Sequence, residues 1–114
     1  MISTERLVFH GRIGTQQVRV WLESHAGGIR LLSHDIGPAL ERVFGKDEIE
    51  TFLDLDAVHL PNLIAALRAE QTDGNASMDP IELLATKYEG DSTATTGLRG
   101  WLTARGIPYR FTIV

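Results

Sequence analysis

The chain has 114 residues, no cysteine and a net charge of −4, with 43% hydrophobic and 23% charged residues. That length is one domain, large enough to bury roughly two-thirds of its unfolded surface without crosslinks. The lack of cysteine excludes disulfides, thiol catalysis and cysteine-ligated zinc or iron–sulfur centres; the acidic balance disfavours nucleic acid, which calls for a basic face.

The opening residues, MISTERLVF, carry neither the basic start nor the apolar core of a signal peptide. No apolar run approaches the roughly 20 residues of a membrane span. A cytoplasmic protein of bacterial type, not associated with membranes, is expected.

Leu7 to Ile13 reads as a first strand, Gly14-Thr15-Gln16 as a turn, and Gln17 to Ser24 as a second strand with Val18, Val20 and Leu22 on one face. His25-Ala26-Gly27-Gly28 makes a tight connection, since glycine accepts positive φ. Ile29 to Ile36 is a third strand, in which the adjacent Leu31 and Leu32 imply a bulge or burial on both faces. Pro38 then opens a short helix with Leu40, Val43 and Phe44 as its expected buried stripe and Gly45 as its stop.

The stretch from Glu48 to Glu70 changes period halfway along. Ile49, Thr51, Leu53 and Leu55 alternate with outward Glu48, Glu50, Phe52 and Asp54, the pattern of a strand with one buried face. Leu60, Leu63, Ile64 and Leu67 then follow the spacing of a helix stripe. Pro61 cannot lie deep in a helix, so Asp56 to His59 form a preliminary turn. Gln71 to Met78 is polar and reads as a mobile loop. Asp79-Pro80-Ile81-Glu82 is a helix start with an N-cap acid, proline at the first position and a capping-box glutamate. Ile81, Leu84, Ala85 and Tyr88 form its buried side and Gly90 its stop. After a second polar loop, capped through Thr95 or Thr96, Leu98, Trp101 and Leu102 mark a last helix. It closes at Gly106 with Ile107 as hydrophobic contact. Tyr109, Phe111 and Ile113 alternate in a final strand, paired with either the fourth strand or the first. The order β-β-β-α-β-α-α-α-β gives an α+β fold with a mainly antiparallel sheet of about five strands and helices on one face, within a single domain spanning 1–114.

The residues offer little chemistry. His10, His25, His34 and His59 show no i, i+4 metal spacing. His34-Asp35 matches a dipeptide of metal phosphohydrolases only as letters, because that pair lies on a helix and this one ends a strand. No nucleophile elbow or phosphate-cradling glycine loop is present. No catalytic residue, metal or cofactor is expected. The outward face of the sheet carries the stronger signal. Arg19, Trp21 and Glu23 point away from the core, with Phe52 on the fourth strand and His10, Arg12, Arg30 and Leu32 beside them. Exposed aromatics near arginines make interface centres. Acids flank them, which suits a basic partner better than phosphate.

Ser33-His34-Asp35-Ile36-Gly37-Pro38, Phe44-Gly45-Lys46-Asp47-Glu48-Ile49-Glu50, Leu63-Ile64-Ala65-Ala66-Leu67, and Trp101-Leu102 ahead of Gly106-Ile107-Pro108-Tyr109 form a structural pattern. From Ser33 onward it resembles small uncharacterised bacterial α+β proteins, some of them immunity-protein-like. The resemblance carries over no active site. It implies an immunity-type inhibitor of a basic toxin, and the face would bind through Arg19, Trp21, Asp47, Glu48, Glu50, Phe52 and Asp54. The alternatives are a structural or regulatory homodimer using the same face, and a small enzyme with a pocket near His34 and Asp35.

Overall fold

The computed structural model describes residues 4–71 and 79–114. Five strands form one antiparallel sheet in chain order: β1 (Glu5–Ile13), β2 (Gln16–His25), β3 (Gly28–Ile36), β4 (Glu48–Leu55) and β5 (Arg110–Ile113). Helix α1 (Leu40–Phe44) lies between β3 and β4, and a single 3₁₀ turn (Ala57–His59) leads into α2 (Leu60–Ala69). Helices α3 (Pro80–Tyr88) and α4 (Ala94–Ala104) precede β5. The α+β architecture and the element order are those the periodicities predict. The final strand pairs with β4, with Leu53 opposite Phe111, so the sheet is open and β1 and β5 are its edges. Most of the polar segment expected to be a mobile loop, 72–78, lies outside the described residues.

The core fills the space between one sheet face and the three longer helices. Val20, Leu22, Leu31 and Leu53 meet Leu63, Leu67, Ile81, Leu84, Leu98 and Leu102, all almost wholly buried. At about 25 cal/mol per Å2 of apolar surface, this burial is the main term holding helices to sheet. Leu31 and Leu32 are both buried, on opposite faces. The bulge falls instead in β1, between Leu7 and Phe9.

Local chemistry explains most boundaries. Ala26 and Gly27 both have positive φ in the two-residue turn between β2 and β3, as a type I′ hairpin requires. Gly28 serves a different need: a Cβ there would stand 1.9 Å from the Leu55 carbonyl oxygen. Asp79 caps α3 by accepting from the Ile81 N–H at 3.0 Å. Helix α4 ends in a Schellman arrangement, with Ile107 N–H donating to the Leu102 carbonyl (3.0 Å) and Gly106 at φ 66°.

Two local expectations change. Helix α1 is one turn long and buries only Leu40, leaving Val43 76% and Phe44 45% exposed; five residues are too few to hold a stripe against a neighbour. The start of α4 is organised by Asp91, not by Thr95 or Thr96. Its carboxylate accepts from the Thr93 N–H and hydroxyl at 2.8 and 2.7 Å, and Thr95 lies inside the helix.

Candidate binding surface

The strand register organises the outward face into transverse rows. One row reads Leu7, Trp21, Leu32, Phe52, Thr112 across all five strands. On one side of it runs Glu5, Glu23, Arg30, Asp54, Arg110, and on the other His10, Arg19, His34, Glu50. A fourth row, Arg12, Gln17, Ile36, Glu48, lies at the end near α1. Helices α2, α3 and α4 place their buried residues in the core on the opposite face. The central row therefore stays partly open. Leu7 is exposed and Trp21 and Phe52 are half-buried, while Leu32 between those two rings is shielded.

Each aromatic of that row carries an arginine. The Arg19 guanidinium lies 4.9 Å from the Trp21 ring centre, and that of Arg30 lies 4.6 Å from Phe52, within cation–π range. Arg30 also donates to both oxygens of Asp54, at 2.7 and 3.1 Å. The hydrogen bond from Arg30 holds the Asp54 carboxyl below its ordinary range against the opposing effect of burial, and the same pairing raises Arg30. Asp54 is 7% exposed. Its charge is committed within the fold.

The register brings Trp21, Arg19, Phe52, Glu50 and Glu48 onto one surface. Asp47 lies at its rim, exposed in the turn before β4, where its carbonyl accepts from the Gly37 N–H at 2.8 Å. Near it, Arg12, Gln17, Ile36, Pro38 and Glu41 help line a hollow of about 320 Å3. Among the described residues, Glu41, Asp47, Glu48 and Glu50 have no lysine or arginine partner and lie together at this end of the molecule; Glu5 and Glu23, in the row on the other side of the aromatics, also lack one. Glu48 takes a hydrogen bond from His34 Nε2 at 2.6 Å. His34 and Asp35 point to opposite faces. His34 sits opposite Glu50, whereas Asp35 sits opposite the core residues Val18 and Ile49 and accepts from Gln16 and Ser33, each at 3.1 Å. One pocket cannot use both side chains.

The chain matches no known protein family, no curated protein and no solved structure. Its candidate site rests on this geometry alone.

Two features of functional weight go beyond the sequence reading. Leu32, expected on the outward face, lies directly between Trp21 and Phe52, which only the β2–β3–β4 register reveals. On the helical side, Glu70 accepts from Lys87 (2.8 Å), the Trp101 indole (2.6 Å) and Arg105 (2.7 Å). Trp101 is thus held between two cations, 5.4 Å from Lys87 and 4.1 Å from Arg105, and is only partly a core residue. A hollow of about 510 Å3 beside it is lined by Asn62, Ala66, Glu70 and Arg105 among others. Its two charged groups bind each other. No described helix is long and apolar enough to cross a membrane.

Proposed function

We propose that the chain is a non-catalytic protein-binding module that docks a basic partner on the outer face of its sheet. The observation that carries this reading is the partly open row Leu7–Trp21–Leu32–Phe52 with Glu41, Asp47, Glu48 and Glu50, which no lysine or arginine neutralises among the described residues, at one end. A ring set in a rigid sheet loses little side-chain freedom on contact, so it suits a binding hot spot. The neighbouring acids add attraction for positive charge and speed encounter more than they add affinity. Arg19 and Arg30 keep the aromatic faces partly polar in the free chain, and Asp54 holds Arg30 in place. Asp54 is therefore a support for the surface, while Asp47 and Glu48 are the steering charges. In this reading the partner is a basic toxin and the chain is its immunity-type inhibitor.

Affinity capture with the native chain tests it, comparing Trp21→Ala and the pair Asp47→Lys and Glu48→Lys. The expected result is one basic protein retained by the native chain and lost by both variants, each still folded by circular dichroism. Retention by both variants overturns the reading. A concentration-independent dimer that Trp21→Ala dissociates overturns it in favour of a homodimer.

A further inference from the structure

The register of β3 and β4 places three metal-binding side chains together at the acidic end of the outer face. His34 lies directly opposite Glu50, and Glu48 shares Glu50's face two residues earlier. One imidazole nitrogen and one oxygen from each carboxylate lie within 4.8 Å of one another. We propose that His34, Glu48 and Glu50 form a binding site for one divalent transition-metal ion of the zinc class.

Four observations support it. The donors sit on adjacent paired strands, so all three backbones are fixed in relation to one another before any ion arrives. Among the described residues the Glu50 carboxylate has no ion pair, although a second carboxylate stands beside it. Arg19, the cation across from His34 on β2, is engaged by Trp21, its guanidinium 4.9 Å from the ring centre, and makes no ion pair with Glu48 or Glu50 among the described residues. A hollow of about 100 Å3 borders His34, lined also by His10, Gln17 and Arg19, so that the imidazole is open to solvent.

The donor set selects the metal. An imidazole with two carboxylates suits zinc and its neighbours, whereas calcium and magnesium prefer all-oxygen sites. At metal–ligand distances of about 2.0–2.2 Å, tetrahedral donors stand roughly 3.4 Å apart. The 2.6 Å contact between His34 Nε2 and Glu48 is shorter than that. It is a hydrogen bond in the free chain, and the metal takes the place of its proton. Glu48, whose side chain is 56% exposed, can swing to make room. Three protein ligands leave a coordination position open to water or to a partner's side chain.

The test uses the untagged full chain without any partner, titrated with Zn2+ by calorimetry and with Co2+ by its visible absorption. The expected result is one saturable equivalent per chain. His34→Gln and Glu50→Gln each weaken it by about tenfold or more, while His10→Gln and Trp21→Ala leave it unchanged. The ion also raises the melting temperature of the native chain and not of His34→Gln. No saturable equivalent, or equal binding by the native chain and His34→Gln, overturns the site. Because Trp21→Ala removes docking and spares the metal, failure of one proposal is distinguishable from failure of the other.

Discussion

Arg30 and Asp54 face each other across β3 and β4 through two hydrogen bonds, and the guanidinium so held lies over Phe52. The pair ties the charge pattern of the outer face to the stability of the sheet. Asp54→Asn keeps the shape and removes the charge. It is expected to destabilise the chain by about 1–3 kcal/mol at neutral pH, read by urea unfolding. The Asp54 carboxyl is held below its ordinary value of 3.8 in the folded chain. Its stabilisation is therefore present above that value and is lost as pH falls through the lower folded one. The gap between native and variant closes over that acid range.

Glu70 joins three helices. Burial alone pushes its carboxyl up, but hydrogen bonds from Lys87 and Trp101 and the charges of Lys87 and Arg105 outweigh this and hold it below 4.5. Glu70→Gln and Trp101→Phe are each expected to cost about 1 kcal/mol, and the double variant less than the sum, because both remove the same contact. The Glu70 contribution exists above its ordinary value and disappears as pH falls through the lower native one. A double-mutant cycle by chemical unfolding at two pH values checks both points.

The two tyrosines are expected to ionise far apart. Burial raises Tyr88 from 10.0 to about 12, whereas the hydrogen bond with Arg99 lowers Tyr109. Ultraviolet titration of the folded chain shows two phases, and Tyr88→Phe removes the upper one. The raised group binds its proton more tightly folded than unfolded. Its stabilisation is thus complete below 10.0 and is lost as pH rises towards about 12.

Gly28 tolerates no side chain. Gly28→Ala sets a Cβ against the Leu55 carbonyl oxygen and is expected to cost about 3 kcal/mol, since that oxygen belongs to a paired strand and cannot retreat freely. Gly14→Ala, in the open turn between β1 and β2, meets no atom but keeps a positive φ. It is expected to cost about 1 kcal/mol. Thermal melts of the two variants separate a packing clash from backbone strain.

The period change at Glu48–Glu70, the caps at Asp79 and Gly106 and the inward alternation of β2 are legible in the sequence because each is set by neighbours a few residues away. The partner of β5 is not, since a strand carries no mark of which edge it joins. The exposure of Val43 and Phe44 depends on how far one helical turn reaches, which periodicity does not report. His34 with Glu48 and Glu50, and Glu70 with Trp101 and Arg105, are separated by 14 to 35 residues. Only pairing and packing bring them together. The outward direction of Trp21, Glu48, Glu50, Phe52 and Asp54 is readable from alternation. That Asp54 is occupied by Arg30 while Glu50 has no ion pair among the described residues depends on side-chain reach across the register.

The bulge at Val8 has a consequence at the sheet's edge. An edge strand of nine residues is a template on which another chain can extend the ladder. Here the extra residue breaks the even spacing of β1. The Val8 carbonyl is occupied by the Gly90 N–H at 2.8 Å, and Arg6 is tied to Glu82 of α3. A second molecule approaching edge-on finds an irregular, partly occupied rim. The domain thus displays an apolar stripe on its face while its longer edge, β1, resists growth into fibrils.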